Sequence, residues 1–134
     1  IKEVLNSDLE GGKYKVKSRE VLHSKYSIGY RVADTEGRAI AYSGDTAYCQ
    51  GIIELGLSAD ILVLECSFPN SAKSGDHLTP FEAGRIATET GCKLLLLTHF
   101  YPQCEIVDIL AQLRETYPGP ALLAHDLLRL KTPP

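Results

Sequence analysis

The sequence predicts an α/β protein: a layered arrangement with a mixed sheet and flanking helices. Three observations lead to this. Ala39-Ile40-Ala41-Tyr42 runs into Ser43-Gly44-Asp45-Thr46, and Leu94-Leu95-Leu96-Leu97 runs into Thr98-His99. Continuous apolar runs of this kind suit strands buried on both faces, as in parallel sheets. Each ends in a residue able to bind a metal, at the carboxyl edge where α/β sheets hold their ligands. The third observation is that such strands alternate with helix-compatible segments, which calls for helices layered on a sheet.

The elements follow in order. Lys13 to Val21 alternates loosely and reads as an antiparallel strand after a Gly11-Gly12 turn. Tyr26 to Ala33 is a second strand, Asp34-Thr35-Glu36-Gly37 a turn, and Arg38 to Tyr42 the returning third strand. Ala47 to Leu55 is a short helix that Gly56 can end. Ile61 to Leu64 is a buried strand, and Ser67 to Gly75 a polar loop. Thr79, Pro80 and Glu82 form a capping box with proline at the first helical position, opening a helix that Gly91 stops. Lys93 to Leu97 is the next strand. Ile106, Ile109, Leu110 and Leu113 then predict a long helix ending near Pro118-Gly119. Ala121 to Ala124 and Leu127 to Leu130 are expected as two short strands around His125-Asp126.

Bulk properties narrow the function. A chain of 134 residues makes one domain with one ordinary core. Its net charge of −3 announces no nucleic-acid binder, although a local basic patch remains compatible with it. No apolar run approaches the roughly 20 residues of a membrane helix, and Ile1-Lys2-Glu3-Val4 is unlike a signal peptide. With 0 Met in the chain, it is expected to be a piece of something longer. Cys49, Cys66, Cys92 and Cys104 form no C-x-x-C pair, which speaks against a structural zinc knuckle. Reduced, buried thiols and a cytoplasmic address are the expectation.

Several polar residues can carry chemistry. Asp45, beside Gly44 at a strand end, can bridge two cations or simply cap the following helix. His99, backed by Phe100, Tyr101 and Pro102, is either a metal ligand or a polar edge of the core. His23 by itself reads as a surface residue. His77 sits in a Gly75-Asp76 loop before a helix N-terminus, where it can reach a substrate or serve only as a helix-entry residue. Glu65, ending the Ile61–Leu64 run, is a candidate to orient one of these imidazoles. His125 reads as a turn residue.

The order His23, Ser43-Gly44-Asp45-Thr46, His77-Leu78-Thr79, Leu97-Thr98-His99 resembles the metallo-β-lactamase fold superfamily, and within it the ribonuclease Z-like metal-dependent hydrolases. The match runs from about Tyr14 to Leu130. The family's H-x-H-x-D-H ligand loop is not among these residues, so 1–134 resembles the C-terminal half of a four-layer αββα fold. The resemblance implies two divalent metal ions, Zn²⁺ first and Mn²⁺ or iron as alternatives. It implies His23, Asp45 and His99 as metal ligands, with Asp45 bridging and so catalytic, and His77 as the catalytic acid near the scissile phosphate. It further implies that an N-terminal half completes the ligand set and covers an apolar sheet face, which a second copy of the chain could cover instead. Where relatives insert a tRNA-gripping arm, only ten residues separate Val32 from Ser43, which favours a phosphoester smaller than tRNA.

The function expected is phosphodiester hydrolysis at a dinuclear metal centre. Hydrolysis of a carboxylic ester, lactone or thioester at the same centre is the alternative. A non-catalytic half-fold module is the rival from another class, and redox chemistry at a diiron centre a remote third. This fragment alone is expected to be inactive and to bind metal weakly.

Overall fold

The computed structural model describes residues 6–131. Seven strands form one mixed sheet in sequence order: β1 (Asp8–Gly11), β2 (Tyr14–Glu20), β3 (Ile28–Asp34), β4 (Ala39–Tyr42), β5 (Ile61–Glu65), β6 (Leu94–Thr98) and β7 (Ala121–Leu123). β1 to β4 pair antiparallel, and β4 to β7 pair parallel. The tight β3–β4 turn is held by Asp34, whose Oδ1 accepts the N–H groups of Glu36 and Arg38.

Parallel neighbours need crossovers, and the helices α1 (Gln50–Gly56), α2 (Pro80–Thr90) and α3 (Ile109–Leu113) supply them. α2 begins with both hydrogen bonds of the Thr79/Glu82 capping box and ends on Gly91 in the left-handed region, φ +62°. Ala41, Leu62, Leu64, Leu95 and Leu97 bury completely with Ile52, Leu55 and Ile86 of the helices.

The other face of the sheet is apolar and open. Register pairs Tyr30, Tyr42, Val63, Leu96 and Leu122 into one row across five strands, and Val16, Val32, Ile40, Ile61 and Leu94 into the next. Paired residues share a face, so these rows form one patch, in which Tyr42 is 50% and Ile40 46% exposed.

One strand goes beyond the expected elements, and two expectations are corrected. β1 is a strand despite its Asp-Leu-Glu-Gly sequence, because a hairpin pairs Leu9 with Val16. The long helix from Ile106 is instead a 3-10 turn over Pro102–Ile106, an extended Val107 and the five-residue α3. Ile106 is 87% exposed, so it does not belong to the buried stripe. Asp108 restarts the helix by accepting the Ala111 N–H at 2.9 Å. Leu127 to Leu130 is no strand: Leu127 turns at φ +64° and is 95% exposed. His125 lies in that turn, with its carbonyl accepting from the Leu128 N–H.

Candidate metal centre

β2, β4, β5 and β6 run in one direction, because two antiparallel pairings separate β2 from β4 and the rest pair parallel. Their carboxyl ends therefore share one edge, and the chain leaves that edge at His23, Asp45, Ser67 and His99. Two of these exits use left-handed backbone: Gly44 at φ +61° before Asp45, and His99 itself at φ +61°. A β-carbon on Gly44 would stand 3.3 Å from the Ile28 carbonyl oxygen, so glycine fits here on both counts. For His99 this backbone costs on the order of 1–3 kcal/mol, a strain found mainly at functional sites.

The loops are stitched to one another. Leu22, next to His23, donates to Thr46 Oγ1 at 3.2 Å and accepts the Ala47 N–H at 2.6 Å. Cys66 N–H donates to the Thr98 carbonyl, and Tyr101 N–H to the Ser67 carbonyl. Each candidate side chain thus stands on backbone fixed by a neighbouring loop.

Glu65 is the hub. Its carboxylate is buried and receives five donors: Thr46 N–H at 2.9 Å, Ser67 N–H at 3.2 Å, Leu78 N–H at 3.2 Å, Ser67 Oγ at 2.7 Å and His77 Nδ1 at 2.8 Å. Two carboxylate oxygens offer about four lone-pair sites, so this acceptor is saturated. Ligand atoms of Glu65, His77 and His99 do lie within 4.8 Å of one another, a spacing a metal could use. Glu65 has no free lone pair for an ion, however, and its geometry is that of an organiser.

Hydrogen bonding assigns the histidine tautomers. A carbonyl only accepts, so His23 Nδ1–H donates to the Asp76 carbonyl at 3.1 Å. His77 Nδ1–H donates to the Glu65 carboxylate. Ser67 Oγ gives its one proton to Glu65 Oε2 and accepts from His99 Nδ1–H at 3.0 Å. All three imidazoles therefore present Nε2 as the free lone pair, the arrangement by which local acceptors prepare histidines to bind metal.

Sequence-identified residues meet as follows. His99 Nδ1 lies 3.5 Å from Asp45 Oδ1, and both side chains are about two-fifths exposed, at 38% and 43%. The His23 ring stands 4.8 Å from the His77 ring, and His77 stands 5.8 Å from His99. Among the described residues His125 takes no part: its Nδ1 donates to the adjacent Asp126 carbonyl, at 3.0 Å. Sequence reading missed Ser67, whose single hydroxyl reaches Glu65, His77 at 3.2 Å and His99. It read Ser67 only as the start of a loop, and no local pattern marks such a hydroxyl.

The donor set suits a borderline divalent cation: imidazole nitrogens with a bridging-capable carboxylate, half open to solvent. It is also incomplete. His23, Asp45 and His99 supply three side chains, whereas each catalytic zinc takes at least three protein ligands.

The profile of the Beta-lactamase superfamily domain family matches residues 6–100. An uncharacterized protein of Mycobacterium tuberculosis is 35% identical over 111 residues, which span 81% of this chain and 41% of that protein. Ribonuclease Z of Salinispora arenicola is 34% identical over 133 residues, 94% of this chain and 41% of the enzyme. The crystal structure of YhfI from Bacillus subtilis, a metallo-beta-lactamase fold protein, superposes with a TM-score of 0.78 at 26% identity. That match covers 89% of this chain and 50% of YhfI, so the chain spans half or less of the length of these relatives. With its mixed seven-stranded sheet and flanking helices, this chain belongs to the beta-lactamase superfamily domain family and has a metallo-β-lactamase-type α/β fold.

Proposed function

We propose that this chain is the C-terminal half of a metal-dependent phosphoesterase with a dinuclear centre. The observation that carries this reading is the pair of buried Glu65 and partly buried His77, which holds an imidazole with Nε2 free beside His23 and His99, the latter in turn facing Asp45. The ribonuclease Z name of a 34% identical relative supports a phosphodiester as substrate. The short β3–β4 turn favours a small one over tRNA.

His23 and His99 would each complete one ion and Asp45 would bridge the two, with Zn²⁺ the first choice and Mn²⁺ or iron the alternatives. When bound, the metals supply an activated water and neutralise charge on the phosphoryl group. Once Nε2 has taken a proton from water, His77 would be the imidazolium that passes it to the leaving oxygen and returns to the neutral Nδ1–H form, with Glu65 balancing the imidazolium charge and fixing its direction. Asp45 and His99 constrain each other's orientation at 3.5 Å. The remaining ligands come from the other half of the fold, whose sheet packs on the Tyr30–Leu122 and Val16–Leu94 rows. A second copy of this chain would bury the same face but bring no new type of ligand. The four free cysteines favour a reducing, cytoplasmic setting, and among the described residues no helix is long and apolar enough to cross a membrane.

The test uses the full-length protein with bis(p-nitrophenyl) phosphate, assayed beside p-nitrophenyl acetate, a lactone and a thioester. Chelator-sensitive phosphodiester turnover, with about two metals per chain by elemental analysis, is the expected result. Preference for the acyl substrates would reassign the reaction. Metal-free protein inactive on all four would favour a non-catalytic module.

A further inference from the structure

Phe68 and Tyr101 have no role in the proposed ligand set or in proton transfer, yet their rings stand against the imidazoles. Tyr101 lies 5.8 Å from His77 and 5.5 Å from His99, and Phe68 lies 5.8 Å from His77. The two rings meet edge-to-face at 4.9 Å. They form one aromatic wall beside the residue that would protonate the leaving oxygen.

This wall is fixed but not finished. Tyr101 is anchored at both backbone ends: its N–H donates to the Ser67 carbonyl at 3.1 Å, and its carbonyl accepts the Cys104 N–H at 2.8 Å. Pro102 follows it and stiffens the turn. Its side of the site nevertheless stays open, with the residue 38% exposed. A preorganised aromatic ring left partly in water next to polar groups is the usual form of a ligand-binding wall, apolar with a few placed polar atoms. Its chemistry selects a planar ring. The chain's net charge of −3 does not favour a long polyanion, which would need many cationic contacts.

We propose that Phe68 and Tyr101 bind a planar aromatic group carried on the leaving side of the phosphoester, so that the substrates are aryl or nucleoside phosphoesters. This rests on the phosphoesterase reading above. Both sources share the ring and the phosphate, and Tyr101 is the residue that sets the preference.

The experiment measures binding rather than turnover. Methyl phosphate, phenyl phosphate and adenosine monophosphate are titrated calorimetrically into full-length, metal-loaded protein. Phenyl phosphate should bind about tenfold tighter than methyl phosphate, the weight of one good aromatic contact. Tyr101→Leu, compared at equal metal content, should bring the ratio of phenyl phosphate to methyl phosphate affinity down to about one, and Tyr101→Phe should keep it near tenfold. Phe68→Leu, with Tyr101 intact, should weaken it. Adenosine monophosphate showing the same Tyr101 dependence points to nucleoside esters, and phenyl phosphate alone showing it points to simple aryl esters. Either result supports the wall. A ring preference that is absent, or that survives both leucine variants, overturns it and leaves the phosphoesterase reading standing. If no phosphate binds and no phosphoester is hydrolysed, that reading fails and this proposal fails with it.

Discussion

Glu65 Oε1 lies 2.8 Å from His77 Nδ1, and the same carboxylate accepts the backbone N–H groups of Thr46, Ser67 and Leu78. One buried charge thus fixes two loops: the one carrying Asp45, and both ends of the β5–α2 connection, at Ser67 and at Leu78 beside His77. Folding and site geometry share this single group.

Glu65→Gln should therefore damage both. The amide keeps one acceptor oxygen and puts an NH₂ where backbone N–H groups point. At least one buried donor is then left unpaired, at roughly 1–3 kcal/mol, and a charge-assisted bond to His77 is lost. Denaturant unfolding of the full-length protein should show a loss of about 2–4 kcal/mol. Unchanged stability would mean that the five donors do not depend on the charge.

Much of the fold was legible because its signals are local. The β5 and β6 runs, the Thr79/Glu82 cap and Gly91 each state their structure within a few residues. β1 and the short α3 were not legible. β1 exists because Leu9 finds Val16 across a hairpin, and the helix break at Val107 follows from Asp108 capping a new start. Of the site, Glu65 could be placed because it ends an apolar run. Ser67 could not, since its importance lies in contacts 10 and 32 residues away in sequence. The left-handed backbone of His99 is likewise a tertiary effect: histidine tolerates positive φ better than most residues, but φ +61° is still uncommon for it and no local pattern calls for it.

Acid should loosen the sheet at β4–β5–β6. The Asp60 carboxyl is held below its usual range, first by the Lys93 ammonium and then by the Ala39 N–H. Lys93 Nζ is 2.7 Å from Oδ1, and Ala39 N is 2.7 Å from Oδ2. With the folded pKa depressed, this stabilisation is complete above the unfolded carboxylate value near pH 4 and disappears as pH falls through the lower folded value. Asp60→Asn should cost about 1 kcal/mol at neutral pH and flatten the stability profile below about pH 4. Parallel wild-type and variant curves across that range would show that Asp60 does not contribute.

Thiol chemistry should separate the cysteines. Burial raises the pKa of Cys66, Cys92 and Cys104, so little thiolate forms at neutral pH. Cys49 alone is partly exposed. A disulfide reagent such as DTNB should modify Cys49 within minutes and the other three only on unfolding. Rapid labelling of Cys66 in native protein would show that the loop after β5 opens on its own.

Ser67 gives the sharpest test of how the site is prepared. Its hydroxyl donates to Glu65 Oε2 at 2.7 Å and accepts from His99 Nδ1–H at 3.0 Å, so it relays the buried charge to a candidate ligand. Without it, the one partner left to His99 Nδ1 among the described residues is Asp45 Oδ1 at 3.5 Å, a weaker hold on the Nδ1 proton. Ser67→Ala should weaken metal binding about 10–100-fold, the usual effect of losing a partner that orients a metal-binding histidine. Ser67→Thr retains the hydroxyl and should restore most of it, provided the added methyl fits the fully buried position. Ring-nitrogen NMR of the metal-free, full-length protein reads the cause directly: His99 should be an Nδ1–H tautomer in the wild type and a mixture in Ser67→Ala. A variant that keeps the single tautomer yet loses metal would show that Ser67 acts on packing instead. One that keeps both tautomer and affinity would remove Ser67 from the site altogether.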